Sequence, residues 1–304
     1  MVNRVAVSLA LPDTEECLTT LRELKSSIGL AEVRLDLMKS FDLSRLITES
    51  PRQLVITCRP PREGGKFDGS ESERLCILAR AMDLGAAYVD VEWDSVQQLR
   101  KRRATATKLI ASRHWPDHMP TTLWPEFESL RPHADVVKLA GWARRLGDTM
   151  PVFDILKRAT IPVICLAMGE AGRITRLLAP CFEHCLLTYG AVSEAEATAP
   201  GQFTVKEMIE VYHLDVAGPH TSIHLRLCAG PESARSVIEK NSGVASDHTI
   251  SIPLIVSSDE AADFVPGLLA LAPRLALTAD TQFEGLLRGL LRDHSHGLSS
   301  SHKG

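Results

Sequence analysis

The chain has 304 residues, 44% of them hydrophobic and 24% charged, with a formal net charge of -4. That length buries a large core and allows one large α/β domain or a domain with an appendage, while the mildly acidic balance lacks the basic excess that a nucleic-acid backbone requires. The first apolar run stops at Pro12-Asp13, too short for a signal peptide, and no later run is long enough to span a membrane, so a cytoplasmic protein with no nucleic-acid or membrane partner is expected.

Short apolar runs alternate with helical patterns from the start. Residues 5–9 read as a strand, followed by a helix that Asp13 caps with Glu16 in the capping-box position. A second strand, Glu32-Val-Arg-Leu-Asp36, precedes a short helix over 43–49. The third, at 54–58, leads into a loop holding Arg62-Glu-Gly-Gly65 and a helix over 70–84 closed by Gly85. Runs at 88–92, 108–112, 135–140, 163–167 and 186–189 bring the count to eight, and 205–212 reads as a last helix. Eight strands joined by helical crossovers predict an α/β fold, a closed (β/α)8 TIM barrel over 1–214, and no glycine fingerprint supports a dinucleotide-binding alternative.

Beyond residue 217 the rhythm changes. Strand-like runs at 222–227 and 249–252 and helical patterns at 233–240 and 259–271 predict a small α/β lobe over 217–292, and the polar tail 293–304 is expected to be disordered. The seven cysteines sit mostly in apolar runs, as reduced core thiols do. Cys181-Phe-Glu-His184-Cys185 offers only three close ligands, so no metal site is expected.

Several strands carry charge: Glu32, Arg34, Asp36, Asp90, Glu92 and Lys138. They read either as a layer of mutually satisfied ion pairs or, together, as a polar pocket at the C-terminal mouth of the barrel. Lys138, near the end of an apolar strand, either reaches water with its ammonium or is an imine-forming amine. An imine needs a proton carrier, and His114 at the end of strand five is placed for that, with Glu63 two loops away to orient it. Arg34, Arg59 and Arg176 suit an anionic substrate through bidentate guanidinium pairing. Ala199-Pro-Gly-Gln202 has the Pro-Gly pair of a mobile turn that can close over a ligand.

These motifs, Glu32-Val-Arg-Leu-Asp36, Thr57-Cys-Arg-Pro-Pro-Arg-Glu-Gly-Gly65, Ser112-Arg-His114, Val137-Lys-Leu-Ala140, Met168-Gly169 with Thr175-Arg176, and Ala199-Pro-Gly-Gln202, resemble type I 3-dehydroquinate dehydratase in the family's order over residues 4–214. The resemblance implies that Lys138 forms an imine with the ketone of 3-dehydroquinate, that His114 is the general acid and base, and that Glu63 holds it. It also implies that Arg176 binds the substrate carboxylate, that Glu32, Arg34 and Arg59 contact ring substituents, and that Thr198 and Gln202 belong to the lid. Thr198 stands where the family usually has serine and keeps the hydroxyl. No metal or organic cofactor is implied, and pairing with a second copy is left open.

From Gly218 onward the chain resembles, in degenerate form, the substrate lobe of the shikimate dehydrogenase that plants fuse behind this dehydratase. Leu254-Ile255 stand in place of the expected His-Lys, and the catalytic lysine has no counterpart. Two alternatives to a 3-dehydroquinate lyase remain: an aldolase-type barrel that also uses a lysine imine, and a non-catalytic binding module whose working part is the C-terminal lobe.

Overall fold

In the computed structural model the described residues are 3–101, 106–241, 249–272 and 274–300, with the side chain of 241 and those of 293–300 left aside. Eight strands alternate with eight helices in the first part of the chain. They are β1 (Val5–Leu9), α1 (Thr14–Glu23), β2 (Leu30–Arg34), α2 (Leu43–Glu49), β3 (Gln53–Thr57), α3 (Glu71–Asp83), β4 (Tyr88–Glu92) and α4 (Val96–Arg100). There follow β5 (Lys108–Trp115), α5 (Trp124–Leu130), β6 (Val136–Trp142), α6 (Met150–Arg158), β7 (Val163–Met168), α7 (Arg173–Leu178), β8 (Thr188–Ala191) and α8 (Val205–Glu210). All eight strands are parallel in the order β7-β6-β5-β4-β3-β2-β1-β8. Between β7 and β8 the ring is joined by a single bridge, where Val163 N–H donates to His184 and Leu186 N–H donates back to Val163. The fold is a (β/α)8 TIM barrel, as the alternation of apolar runs predicts.

The side-chain period of two sorts each strand between two cores. Ala6, Val55, Tyr88, Ile110, Val136, Ile164, Leu166 and Tyr189 fill the barrel interior. Outward-facing Val7, Val33, Ile56, Val89, Leu109, Val137 and Cys165 pack under the helices. Helix starts follow the local chemistry: Asp13 accepts from the amides of Glu15 and Glu16, and Ser70 with Glu73 and Thr204 with Glu207 make capping boxes.

Strand limits differ from the sequence reading where polar or small residues continue a ladder. β5 runs on to Trp115, and β6 to Trp142 through Gly141. Lys138 is therefore mid-strand rather than near a strand end, because Ala140, Gly141 and Trp142 keep pairing with β5 or β7.

The C-terminal lobe has β9 (Ser222–Cys228), α9 (Pro231–Asn241), β10 (Thr249–Ile255), α10 (Ser258–Leu271), β11 (Leu275–Ala279) and α11 (Glu284–Ser300), with a parallel sheet in the order β10-β9-β11. The third strand and the last helix lie outside the elements read from sequence. The expectation of a structureless tail from 293 falls on the last turns of α11 and on 301–304, which lie outside the described residues. No described helix is long and apolar enough to cross a membrane.

Lobe and barrel share one hydrophobic core. Phe264 of α10 meets Phe153 of α6 with ring centroids 6.4 Å apart, Gly267 lies against Met150, and Lys157 Nζ donates to the Ala270 carbonyl. Phe264 is fully buried, so Phe264→Ala should cost about 3–5 kcal/mol of stability. Urea unfolding followed by circular dichroism checks this, and an unchanged midpoint would show that the shared core contributes nothing to stability.

Candidate active site

Period two turns a ring of polar side chains toward the C-terminal end of the barrel interior. Glu32 and Arg34 alternate on β2, Asp90 and Glu92 on β4, and Ser112 and His114 on β5, while Lys138 faces in from β6. The register aligns them: Ser8 opposes Glu32, Thr57 opposes Asp90, and Ser112 lies between Glu92 and Lys138.

Lys138 is buried, with Nζ 3.0 Å from Glu32 Oε1 and 2.7 Å from Asp90 Oδ2 and 4.8 Å from the centroid of the Tyr189 ring. Glu32 also accepts from Ser8 Oγ at 2.7 Å and Thr57 Oγ1 at 2.9 Å. Burial opposes ionisation of Glu32 and Asp90, but the cations beside them win. Lys138 and Arg34 draw Glu32 below the usual carboxylate range, and Arg59 and Lys138 draw Asp90 down.

Arg59 is buried just past β3. It donates from Nη1 to Glu92 Oε1 at 2.6 Å and to Ser112 Oγ at 2.7 Å, and Nη2 lies 3.0 Å from Asp90 Oδ2. Arg34 lines the pocket but binds Asp36 through two bonds of 2.8 and 2.7 Å. The loop after Arg59 turns sharply: Gly64 has φ of +77°, and a Cβ on Gly65 would lie 2.0 Å from the Arg59 carbonyl oxygen. That turn brings Glu63 Oε2 to 2.8 Å from His114 Nδ1.

Burial and the nearby Arg59 and Lys138 hold His114 well below the ordinary imidazole value. Burial, with Glu92 and Asp90 close by, pushes the Glu63 carboxyl up to about 8 against the pull of Arg59. With the shared proton on Nδ1, the other ring nitrogen keeps a free lone pair and can act as a base. When the pair holds one more proton, that nitrogen can release it as Nδ1 takes the proton from Glu63.

Arg176, from α7, is fully buried, and its Nε and Nη2 have no hydrogen-bond partner. Burial and the neighbouring Arg173 lower it to about 10. A buried cation with unmet donors is costly unless an anion fills the pocket it lines. Over the pocket, Thr198 Oγ1 lies 3.0 Å from Ser8 Oγ, and Gln202 Oε1 accepts from the Thr198 and Ala199 amides. The turn is seated by Gly169 N–H donating to the Pro200 carbonyl. It needs glycine at 201, where φ is +77° and a Cβ would lie 2.3 Å from the Gly169 oxygen.

All nine side chains singled out from sequence, Glu32, Arg34, Arg59, Glu63, His114, Lys138, Arg176, Thr198 and Gln202, line this one cavity of about 200 Å3, room for a small molecule. Sequence reasoning left Asp90, Glu92 and Ser112 without a role of their own and passed over Tyr189. Their signal was the inward period of two shared with Lys138. Among the described residues no cluster of His, Cys, Asp and Glu fits a metal ion.

The profile described as Type I 3-dehydroquinase matches residues 5–219. The chain belongs to the type I 3-dehydroquinase family. A family relative, the 3-dehydroquinate dehydratase of Desulfotalea psychrophila, is 33% identical over 223 residues, covering 69% of this chain and 96% of the relative. The chloroplastic bifunctional 3-dehydroquinate dehydratase/shikimate dehydrogenase of Arabidopsis thaliana is 35% identical over 208 residues, covering 64% of this chain and 34% of its own length. The chain thus spans about a third of that relative. The 3-dehydroquinate dehydratase of Geobacillus kaustophilus shares the fold with a TM-score of 0.58 at 23% identity over 68% of this chain and 88% of that one. The dehydroquinate dehydratase and shikimate dehydrogenase of S. pombe AroM shares it at 0.60 and 21% identity over 93% of this chain and 57% of that one.

The depressed His114 value has a measurable consequence. In the free enzyme the imidazole should stay neutral from about pH 6.5 upward, since the ordinary value near 6.5 is lowered and protonation is deferred to more acid pH. A histidine NMR titration checks this, and a His114 signal titrating at or above pH 6.5 would contradict it.

Proposed function

We propose that the chain dehydrates 3-dehydroquinate to 3-dehydroshikimate through a Schiff base on Lys138. The carrying observation is one cavity lined by a paired lysine, a carboxyl-bound imidazole and a buried arginine with unmet donors. The substrate is a hydroxy-acid ketone. Its carboxylate pairs with Arg176, offsetting the desolvation of both charges, and its ring hydroxyls meet Glu32, Arg34 and Arg59.

In the first step a proton leaves the Lys138 ammonium for a neighbouring carboxylate, and the freed amine attacks the ketone carbon. Water leaves as the iminium forms. His114 then takes the proton next to the iminium carbon, with Glu63 sharing the charge. The imidazolium returns that proton to the departing hydroxyl, which leaves as water, and hydrolysis of the iminium frees product and lysine. The iminium inherits the ammonium's place between Glu32, Asp90 and the Tyr189 ring, groups already oriented for a cation. Thr198 and Gln202 close the mouth and limit water. An aldolase-type reading fits less well, because the cavity presents arginine and carboxylates suited to a hydroxy acid.

The boundaries we assign are a barrel over 1–214 and a lobe over 217–292 that is a shikimate dehydrogenase-like substrate lobe without redox activity. In support, Ser233 Oγ and Arg226 both donate to Asp280 within the lobe, while Leu254 and Ile255 occupy the end of β10. A cytoplasmic location is part of this reading, supported by six buried thiols. The Arabidopsis relative is named chloroplastic.

Borohydride reduction with 3-dehydroquinate should add one ligand, on Lys138, by peptide mass analysis; a label on another lysine would remove it from the role. His114→Ala should still bind substrate but turn over at least about 100-fold more slowly, with Glu63→Gln costing less. Near-normal turnover in His114→Ala would exclude it as the acid and base. Incubation with shikimate and NADP should give no reduction, and reduction above the enzyme-free rate would overturn the redox-silent lobe.

A further inference from the structure

Behind the pocket, on the outer side of the barrel wall, lies a buried cation that the mechanism does not use. Arg74 belongs to α3 and its side chain is wholly buried. Its Nη1 donates to the Cys58 carbonyl at 3.1 Å and pairs with Glu92 Oε2, while Nε and Nη2 clasp Glu71 at 2.9 and 2.6 Å. Glu71 is tied further to Arg62 and, at 2.8 Å, to Ser95 Oγ.

The other oxygen of Glu92 receives Arg59, Arg59 reaches Asp90, and Asp90 holds Lys138. Charges alternate along the whole path: Glu71, Arg74, Glu92, Arg59, Asp90, Lys138. Each member from Arg74 inward is buried, so none exchanges its partner for water without a large desolvation cost. Glu92 is the joint between the two halves: Oε1 accepts a hydrogen bond from Arg59 on the pocket side, and Oε2 faces Arg74 of the helix layer in an ion pair without hydrogen-bond geometry.

We infer that Arg74 is a positioning residue for the dehydration: by clamping Glu92 from outside the barrel it sets how Arg59 divides between Glu92 and Asp90, and so how tightly Asp90 holds Lys138. This rests on the reaction assigned above. Without Arg74, Glu92 keeps one cation, Arg59 is drawn wholly to it, and Asp90 is left to Lys138 alone. The amine is then held more firmly and enters the imine more slowly. Arg176 and the lid are untouched, so the carboxylate and the mouth are held as before, and the shift of Arg59, one of three groups meeting the ring hydroxyls, changes substrate binding far less than it changes the amine.

The test compares Arg74→Met, Arg74→Lys and Glu71→Gln with the unaltered chain, normalising rates to folded protein by circular dichroism. Arg74→Met should lower kcat roughly 10- to 100-fold, the scale of a misplaced reacting group, with KM changed by less than about threefold. Arg74→Lys restores a cation for Glu92 without the fork for Glu71 and should recover part of the loss, and Glu71→Gln should cost less than either. If Arg74→Met does not fold, Arg74→Lys carries the test with a reduced kcat at an unchanged KM.

A second readout is independent of the reaction: pyridoxal with borohydride labels accessible amines, and peptide mass analysis follows Lys138. Labelling should be slower in Arg74→Met, or in Arg74→Lys if only that folds. Unchanged or faster labelling, wild-type kcat, or a loss confined to KM would each overturn the inference. If the unaltered chain does not dehydrate 3-dehydroquinate, the assigned reaction fails while the labelling still decides the link between Arg74 and Lys138.

Discussion

The pairing of Lys138 with Glu32 and Asp90 governs the rest of this molecule. An isolated ammonium inside a barrel costs several kcal/mol, about the scale of net domain stability, so it is tolerated only where fixed partners surround it. Each partner is charged and needs its own: Asp90 takes Arg59, Arg59 takes Glu92, and Glu92 takes Arg74. The balance closes with three cations and three carboxylates inside, and Glu71 at the rim. Such a set contributes little to stability compared with apolar packing. Its value is that the groups meeting a substrate are already oriented, so little reorganisation is left for the reaction.

This requirement divides the barrel interior into two layers. Toward the N-terminal ends of the strands the filling is apolar, with Ala6, Val55, Ile110, Val136 and Ile164. One or two inward positions further along it becomes charged on β2, β4 and β6, with His114 on β5 and Arg59 just past β3. Because the period is two, a slip of one residue in β2, β4 or β6 would turn its charged groups into the helix layer and leave their partners unpaired. The ion network therefore enforces the same register that the apolar layer does.

Much of this was legible in the amino-acid sequence. A lysine in an apolar run, Arg59 and Glu63 ahead of two glycines and a histidine at a strand end are local signals, and each lies in the cavity. Asp90 and Glu92 were visible as charges, but assigning them requires knowing which face of β4 points inward, and Tyr-Val-Asp-Val-Glu is apolar on one face and acidic on the other. Arg74 was less legible still. It sits in a helix whose capping box and apolar spacing account for the segment, and only the three-dimensional packing of α3 over β3 and β4 reveals that it reaches Glu92. The apolar run ends at Ala140, yet β6 continues through Gly141, which sits in close contact with Met119, to Trp142. In the lobe, β11 and α11 become elements through pairing with β9 and packing on α10.

The seam between β7 and β8 has a mechanical meaning. Seven of the eight junctions around the barrel are laddered, and this one is held by a single bridge. Every member of the alternating charge path lies on the laddered side, from the end of β3 through β6. Arg176 follows β7, and the turn with Gln202 follows β8, so the two stand on opposite lips of the weakest joint. Local opening costs least where the fewest backbone bonds must break. The laddered arc of the barrel thus carries the reacting groups, while the eighth junction is closed by the Val163 bridge near the strand starts and by the Gly169–Pro200 hydrogen bond at the mouth, where the arginine that grips faces the turn that covers.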